Sequence, residues 1–146
     1  MLYFGESLKV CFLEGILRDK RNGRLGDLLI AYSELTERVC AEIELREPLK
    51  LVDLRGDNLI KMGVPTDAVR ASSHKLGRLW SLAFWSHGES PDGLIYPSRL
   101  NEETNIALYN RATKKVAAVK NSPAPGMRSG VESYNPRIRT IYQRIE

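Results

Sequence analysis

Cysteine and histidine are scarce in this chain of 146 residues, with two of each. Cys11 and Cys40 lie in apolar surroundings without metal-ligand spacing, so they read as reduced core thiols, which fits the cytosol. His74 and His87 have no convincing partner carboxylate, and no nucleophile elbow is present, which argues against a serine hydrolase. No apolar run approaches the ~20 residues needed to cross a bilayer. No basic stretch precedes an apolar run at the start, so Met1 to Glu6 does not read as a signal peptide. Gly-rich phosphate loops of both common kinds are missing, which excludes nucleotide binding in the Rossmann manner. No aromatic residues interleave with the basic positions as on an RNA-binding surface. The net charge of +4 therefore reads as a solvated surface, compatible with a pocket for an anionic ligand such as a pyrophosphate.

What is present is an ordinary globular composition. Hydrophobic residues make up 42% and charged residues 27%, enough for one domain with a real core. Residues 2–5 predict a short strand. Glu6 or Ser7 then caps a helix to about Asp19, apolar almost all round and so expected to be largely buried. Asn22-Gly23 and Gly26 break the pattern, and residues 27–32 form a short apolar segment of undecided type. Alternation predicts strands over 39–45 and 49–54, followed by a short helix over 58–62. Thr66 is expected to cap a long helix reaching Phe84, with a break near Gly77. Ser90-Pro91-Asp92-Gly93 is a turn, and Leu94 to Tyr96 reads as a short central strand. Strands follow over 105–109 and 115–119, joined by a hairpin-sized segment. Residues 121–146 read as a loosely packed Pro/Arg-rich tail with a short terminal helix, after a domain over 1–120. Short strands outnumber helices without regular alternation, which predicts an α+β domain with mostly antiparallel pairing.

Three side chains draw attention. Glu14 lies between Val10, Cys11, Leu17 and Arg18 on the helix. A carboxylate there either pairs with Arg18 at i,i+4 or lines a cleft. Ser98 ends the strand after Pro97, where it is either a turn serine or a site residue. Tyr3 lies in the first strand and reads in isolation as a core or edge residue.

Two segments, Leu2-Tyr3-Phe4-Gly5-Glu6-Ser7 leading to Glu14, and Asp92-Gly93-Leu94-Ile95-Tyr96-Pro97-Ser98-Arg99, resemble in this order the RES domain family. That family is named for an arginine, a glutamate and a serine, and consists largely of bacterial toxins that break down NAD. The similarity runs from about Leu2 to Val119. The resemblance implies an ADP-ribosyltransferase-like fold, a bent, split, mostly antiparallel sheet with flanking helices around an NAD cleft. It implies cleavage of the nicotinamide–ribose bond, of glycohydrolase or phosphorylase type, with NAD as substrate and neither cofactor nor metal required. Glu14 and Ser98 would be catalytic, and Tyr3 would form part of the pocket. Asn105 to Tyr109 resembles the family's next strand and reads as structural. Trp80 and Trp85 read as core, with stacking on a nicotinamide or adenine ring as the alternative, and His87 as a loop residue. The implied partner is a helix-turn-helix antitoxin, through which any contact with nucleic acid would be indirect. The family's arginine lies before the strand that matches Leu2-Tyr3-Phe4, where this sequence begins. Arg99 and Arg55 are the substitutes suggested by position. The alternative expectation is a shortened, catalytically inactive RES-fold protein that keeps its partner interaction.

Overall fold

The computed structural model describes residues 1–21, 25–71, 74–123 and 139–141. Strand β1 (Leu2–Gly5) leads into helix α1 (Leu8–Phe12), which runs on through a π turn (Leu13–Leu17) into helix α2 (Arg18–Arg21). Helix α3 (Tyr32–Thr36), strands β2 (Val39–Leu45) and β3 (Leu51–Asp53), and helices α4 (Asn58–Lys61), α5 (Asp67–Arg70) and α6 (His74–Trp85) follow. Strands β4 (Gly93–Pro97) and β5 (Thr104–Leu108), a 3-10 helix (Asn110–Lys115), and strands β6 (Val116–Pro123) and β7 (Arg139–Ile141) complete the described chain. The strands form one seven-stranded sheet in the order β3-β4-β5-β1-β7-β2-β6. Among the described strands only β3 and β4 pair in parallel, so the domain is α+β and mostly antiparallel.

Side chains alternate across a strand, so the register sorts them onto two faces. Phe4, Ile106 and Ile95 stand side by side on one face. There Phe4, Ile106, Leu108 and Ala112 are buried, with Leu2, Ala41, Ile43 and Leu51 packed against them. Tyr3, Ala107 and Leu94 align on the other face, and two residues along so do Gly5, Asn105 and Tyr96. At the β3–β4 end this second face is covered by α4 to α6. Leu54, Leu59, Val64, Leu94 and Tyr109 form the core there, with Trp80, Phe84 and Tyr96 partly buried against it. Helix α1 covers the same face further along. A Cβ on Gly5 would lie 2.5 Å from Val10 Cγ1 and 2.6 Å from Cys11 Sγ, so the helix sits this low because β1 ends in glycine.

The first helix is largely buried, as its pattern predicts: Val10, Cys11 and Ile16 are buried and Phe12, Leu13 and Leu17 half-buried, with Leu8 exposed at its start. Several other expectations are corrected. Thr66 starts α5 without a side-chain cap, since the turn already begins at the Pro65 carbonyl, which accepts from the Ala68 N–H. The long helix breaks at Ala71, whose backbone is extended, and not at Gly77. Gly77 lies inside α6 where α5 crosses closely; a Cβ there would be 2.7 Å from the Ala68 carbonyl oxygen. Residues 110–114 do not form a hairpin, because β5 and β6 belong to different parts of the sheet and β6 pairs with β2. The 3-10 helix carries the chain across, pinned by the fully buried Ala112. Residues 27–31 have no regular structure, and Tyr32 opens α3. In the tail, Arg139–Ile141 is a strand between β1 and β2, and the chain's end, where a short terminal helix is expected, lies outside the described residues. The break expected at Asn22-Gly23, and tail residues 124–138 and 142–146, lie outside the described residues.

Candidate active site

Ser7 sets the start of the helix that carries Glu14. Its backbone is extended, and its hydroxyl accepts the Val10 N–H at 3.1 Å. The same hydroxyl donates to Glu103, on the loop after Ser98. Lys9 Nζ lies 3.6 Å from that carboxylate, and the Glu6 N–H donates to the Thr104 carbonyl at 3.0 Å. The first turn of α1 is thereby tied to the β4–β5 loop. That loop is drawn in by the Ser98 N–H, which donates to the Glu103 carbonyl at 2.6 Å, and by the Leu100 N–H, which donates to Ser98 Oγ at 3.1 Å.

With both segments held, Glu14 and Ser98 meet. Ser98 Oγ donates to Glu14 Oε1 at 2.7 Å, across 84 positions of sequence. Ser98 is 1% exposed. Asn105 Nδ2 donates to the same oxygen at 3.2 Å. Arg18 Nη1 lies 3.6 Å from Glu14 Oε2, at the i,i+4 spacing. Glu14 thus pairs with Arg18, as the i,i+4 spacing predicts, and also reaches across to the strand end. Glu14 belongs to the π turn, a local widening of the helix that recurs at functional sites.

The floor beside this group is made by the strands. Tyr3 is 54% exposed on the face shared with Asn105 and Tyr96. Burial holds the Tyr96 phenol well above its ordinary value; Tyr3 and Glu14 push the same way and Arg18 opposes them. These four groups thus lie within one electrostatic neighbourhood. Arg99 is half-buried on the loop directly after Ser98, and no ion pair engages it among the described residues. Arg55 is committed elsewhere, gripping Asp53 through Nε and Nη2, both at 2.9 Å. Trp80 packs into the core with its ring centroid 5.8 Å from that of Phe84. Trp85 is half-exposed, with the Arg111 guanidinium 4.8 Å from its ring centroid. His87 is an exposed loop residue whose Nδ1 accepts the Glu89 N–H at 3.2 Å.

Two members of the site were not identified from sequence. Asn105 reads there as structural, yet its amide is buried against Glu14. Tyr96 reads there only as part of a motif. Asn105 is the polar residue in the run Asn-Ile-Ala-Leu-Tyr, but its place on the face of Tyr3 follows from the register of β1 with β5, which no local pattern gives.

Among the described residues no helix is long and apolar enough to cross a membrane. No solved structure matches this chain. Over 115 residues it is 46% identical to the probable toxin y4kH of Sinorhizobium fredii, covering 79% of this chain and 91% of that protein. The model of the RES domain matches residues 1–129, which include Tyr3, Glu14, Ser98 and Asn105. The chain belongs to the RES domain family.

Proposed function

We propose that this chain is a toxin that degrades NAD by cleaving its nicotinamide–ribose bond. The observation that carries the reading is the 2.7 Å hydrogen bond from Ser98 to Glu14, which joins the two residues that match the family's serine and glutamate. The toxin role is supported by the likeness to y4kH. As the C–N bond breaks, its electron pair leaves with nicotinamide and the ribose becomes oxocarbenium-like. Glu14 stabilises that positive charge or accepts a hydrogen bond from a ribose hydroxyl that grows more acidic. Ser98 holds Glu14 in place. Tyr3 contributes an aromatic wall, and Arg99 supplies a cation for the dinucleotide phosphates. Water or phosphate then adds to the ribose carbon and gives up a proton. The partner is a helix-turn-helix antitoxin that covers the cleft.

The test is incubation of the purified protein with NAD, following free nicotinamide and the ribosyl product. A phosphorylated product identifies phosphate as acceptor. No loss of NAD at enzyme concentrations near that of substrate would defeat the reading. NAD binding without consumption would instead favour an inactive binding protein of the same fold.

A further inference from the structure

The two oxygens of Glu14 are held very differently. Oε1 receives two donors, Ser98 Oγ at 2.7 Å and Asn105 Nδ2 at 3.2 Å. Both come from the sheet side, and both residues are buried, at 1% and 6% exposure. Oε2 faces Arg18 Nη1 at 3.6 Å, an ion pair beyond hydrogen-bond range. One oxygen is therefore anchored, and the other is loosely held beside a partly exposed guanidinium.

We propose that Asn105 is a positioning residue, and that Glu14 acts through Oε2 alone while Ser98 and Asn105 fix Oε1 against the sheet. The substrate's identity in this proposal rests on the NAD-cleaving reading above. The chemistry favours such a division of labour. A carboxylate that stabilises developing positive charge is most effective when it does not have to reorient during the reaction. A hydroxyl at a strand end and an amide one strand away constrain both rotation and tilt of the carboxylate plane. Oε2 is left to exchange Arg18 for the ribose. Ser98 is then also a positioning residue and does not touch the reacting atoms.

Two double-mutant cycles test this. In the first, nicotinamide release is measured for Ser98→Ala, Asn105→Ala and the double variant. We expect each single change to lower kcat about tenfold or more with KM for NAD within about twofold. The double variant should be well above the product of the two effects, because both act through one oxygen. A raised KM with unchanged kcat, or independent effects that multiply, would overturn the proposal. The second cycle uses no substrate. Asn105→Ala should shift the urea midpoint in the parent and leave it unmoved in a Glu14→Ala background; equal shifts in both overturn the proposal. If Asn105→Ala does not fold, Asn105→Ser, which keeps a shorter donor, takes its place in both cycles. A parent inert toward NAD defeats the catalytic reading, whereas the urea cycle judges the anchoring of Oε1 by itself.

Discussion

The hydroxyl of Ser7 is shared between two segments: it accepts the Val10 N–H inside α1 and donates to Glu103 on the loop that follows Ser98. One side chain thus caps the helix that carries Glu14 and ties it to the loop that carries Ser98. The position of each catalytic candidate depends on the other's segment.

Glu103→Ala removes this tie together with the ion pair to Lys9. We expect a stability loss of about 1 kcal/mol and a fall in kcat of about tenfold, since small displacements of a reacting group are costly. Urea melts and nicotinamide release measure the two effects. Full activity in the variant would mean that the loop is held without Glu103.

Glu14→Gln preserves shape and removes charge. Nicotinamide release should fall about 100- to 1,000-fold, the usual loss for one electrostatic group at a transition state. Folding stability should change by about 1 kcal/mol at most. Comparable losses in rate and stability would mark Glu14 as a structural carboxylate.

Gly5→Ala tests the close seat of α1. The added methyl would meet Val10 Cγ1 and Cys11 Sγ at 2.5 and 2.6 Å, so these buried side chains must turn aside or the helix must lift. A destabilisation of about 1–3 kcal/mol is expected, with reduced activity because α1 runs directly into the turn that holds Glu14. A melting curve like the parent's would show that the seat of α1 takes a methyl group at no cost.

Asp92 provides a pH dependence. Its carboxylate accepts the Lys50 N–H at 2.8 Å and the Lys115 ammonium at 2.9 Å. Burial pushes the carboxyl up, but these donors outweigh it and hold it below its ordinary value of 3.8. The folded state therefore releases this proton more readily than the unfolded chain. The stabilisation is present above about pH 4 and is lost as pH falls through the depressed folded value. Asp92→Asn should be about 1–2 kcal/mol less stable than the parent at pH 7, and the gap should narrow below about pH 3. Urea melts at the two pH values decide; a gap of constant size would exclude the charged carboxylate as its source.

Cys11 is expected to resist thiol reagents in the folded state. Burial pushes its thiol up to about 12, with the Gly5 backbone opposing and the neighbouring Cys40 reinforcing. Alkylation at pH 8 should be negligible natively and rapid in denaturant. Because the folded value is raised above the ordinary 9.0, this thiol's contribution to stability is intact below about pH 9 and declines as pH rises toward 12. Rapid native labelling would indicate that α1 opens easily.

Local pattern made much of this fold readable. The strand before Gly5, the cap at Ser7, the strand over Val39–Leu45 and the short strand before Ser98 each follow from alternation, capping or turn chemistry within a few residues. The pairing of Glu14 with Arg18 was equally readable, because i,i+4 spacing on a helix is local. Gly77 misled because a glycine inside a helical pattern signals either a break or a close crossing, and only the position of the Ala68 carbonyl distinguishes them. The segment after Leu108 misled because hairpin length says nothing about which strand the chain will pair with next.

The sequence by itself determined the elements around the site and, through two short motifs, the family. Both are properties of neighbouring residues, for which backbone preference and side-chain period suffice. Tertiary structure alone decided that Asn105 joins Ser98 on one oxygen of Glu14, and that Arg18 is left with the other. It also decided that Arg139–Ile141 completes the sheet between β1 and β2. Contacts of this kind depend on strand order and register between distant segments, and no local preference carries that information.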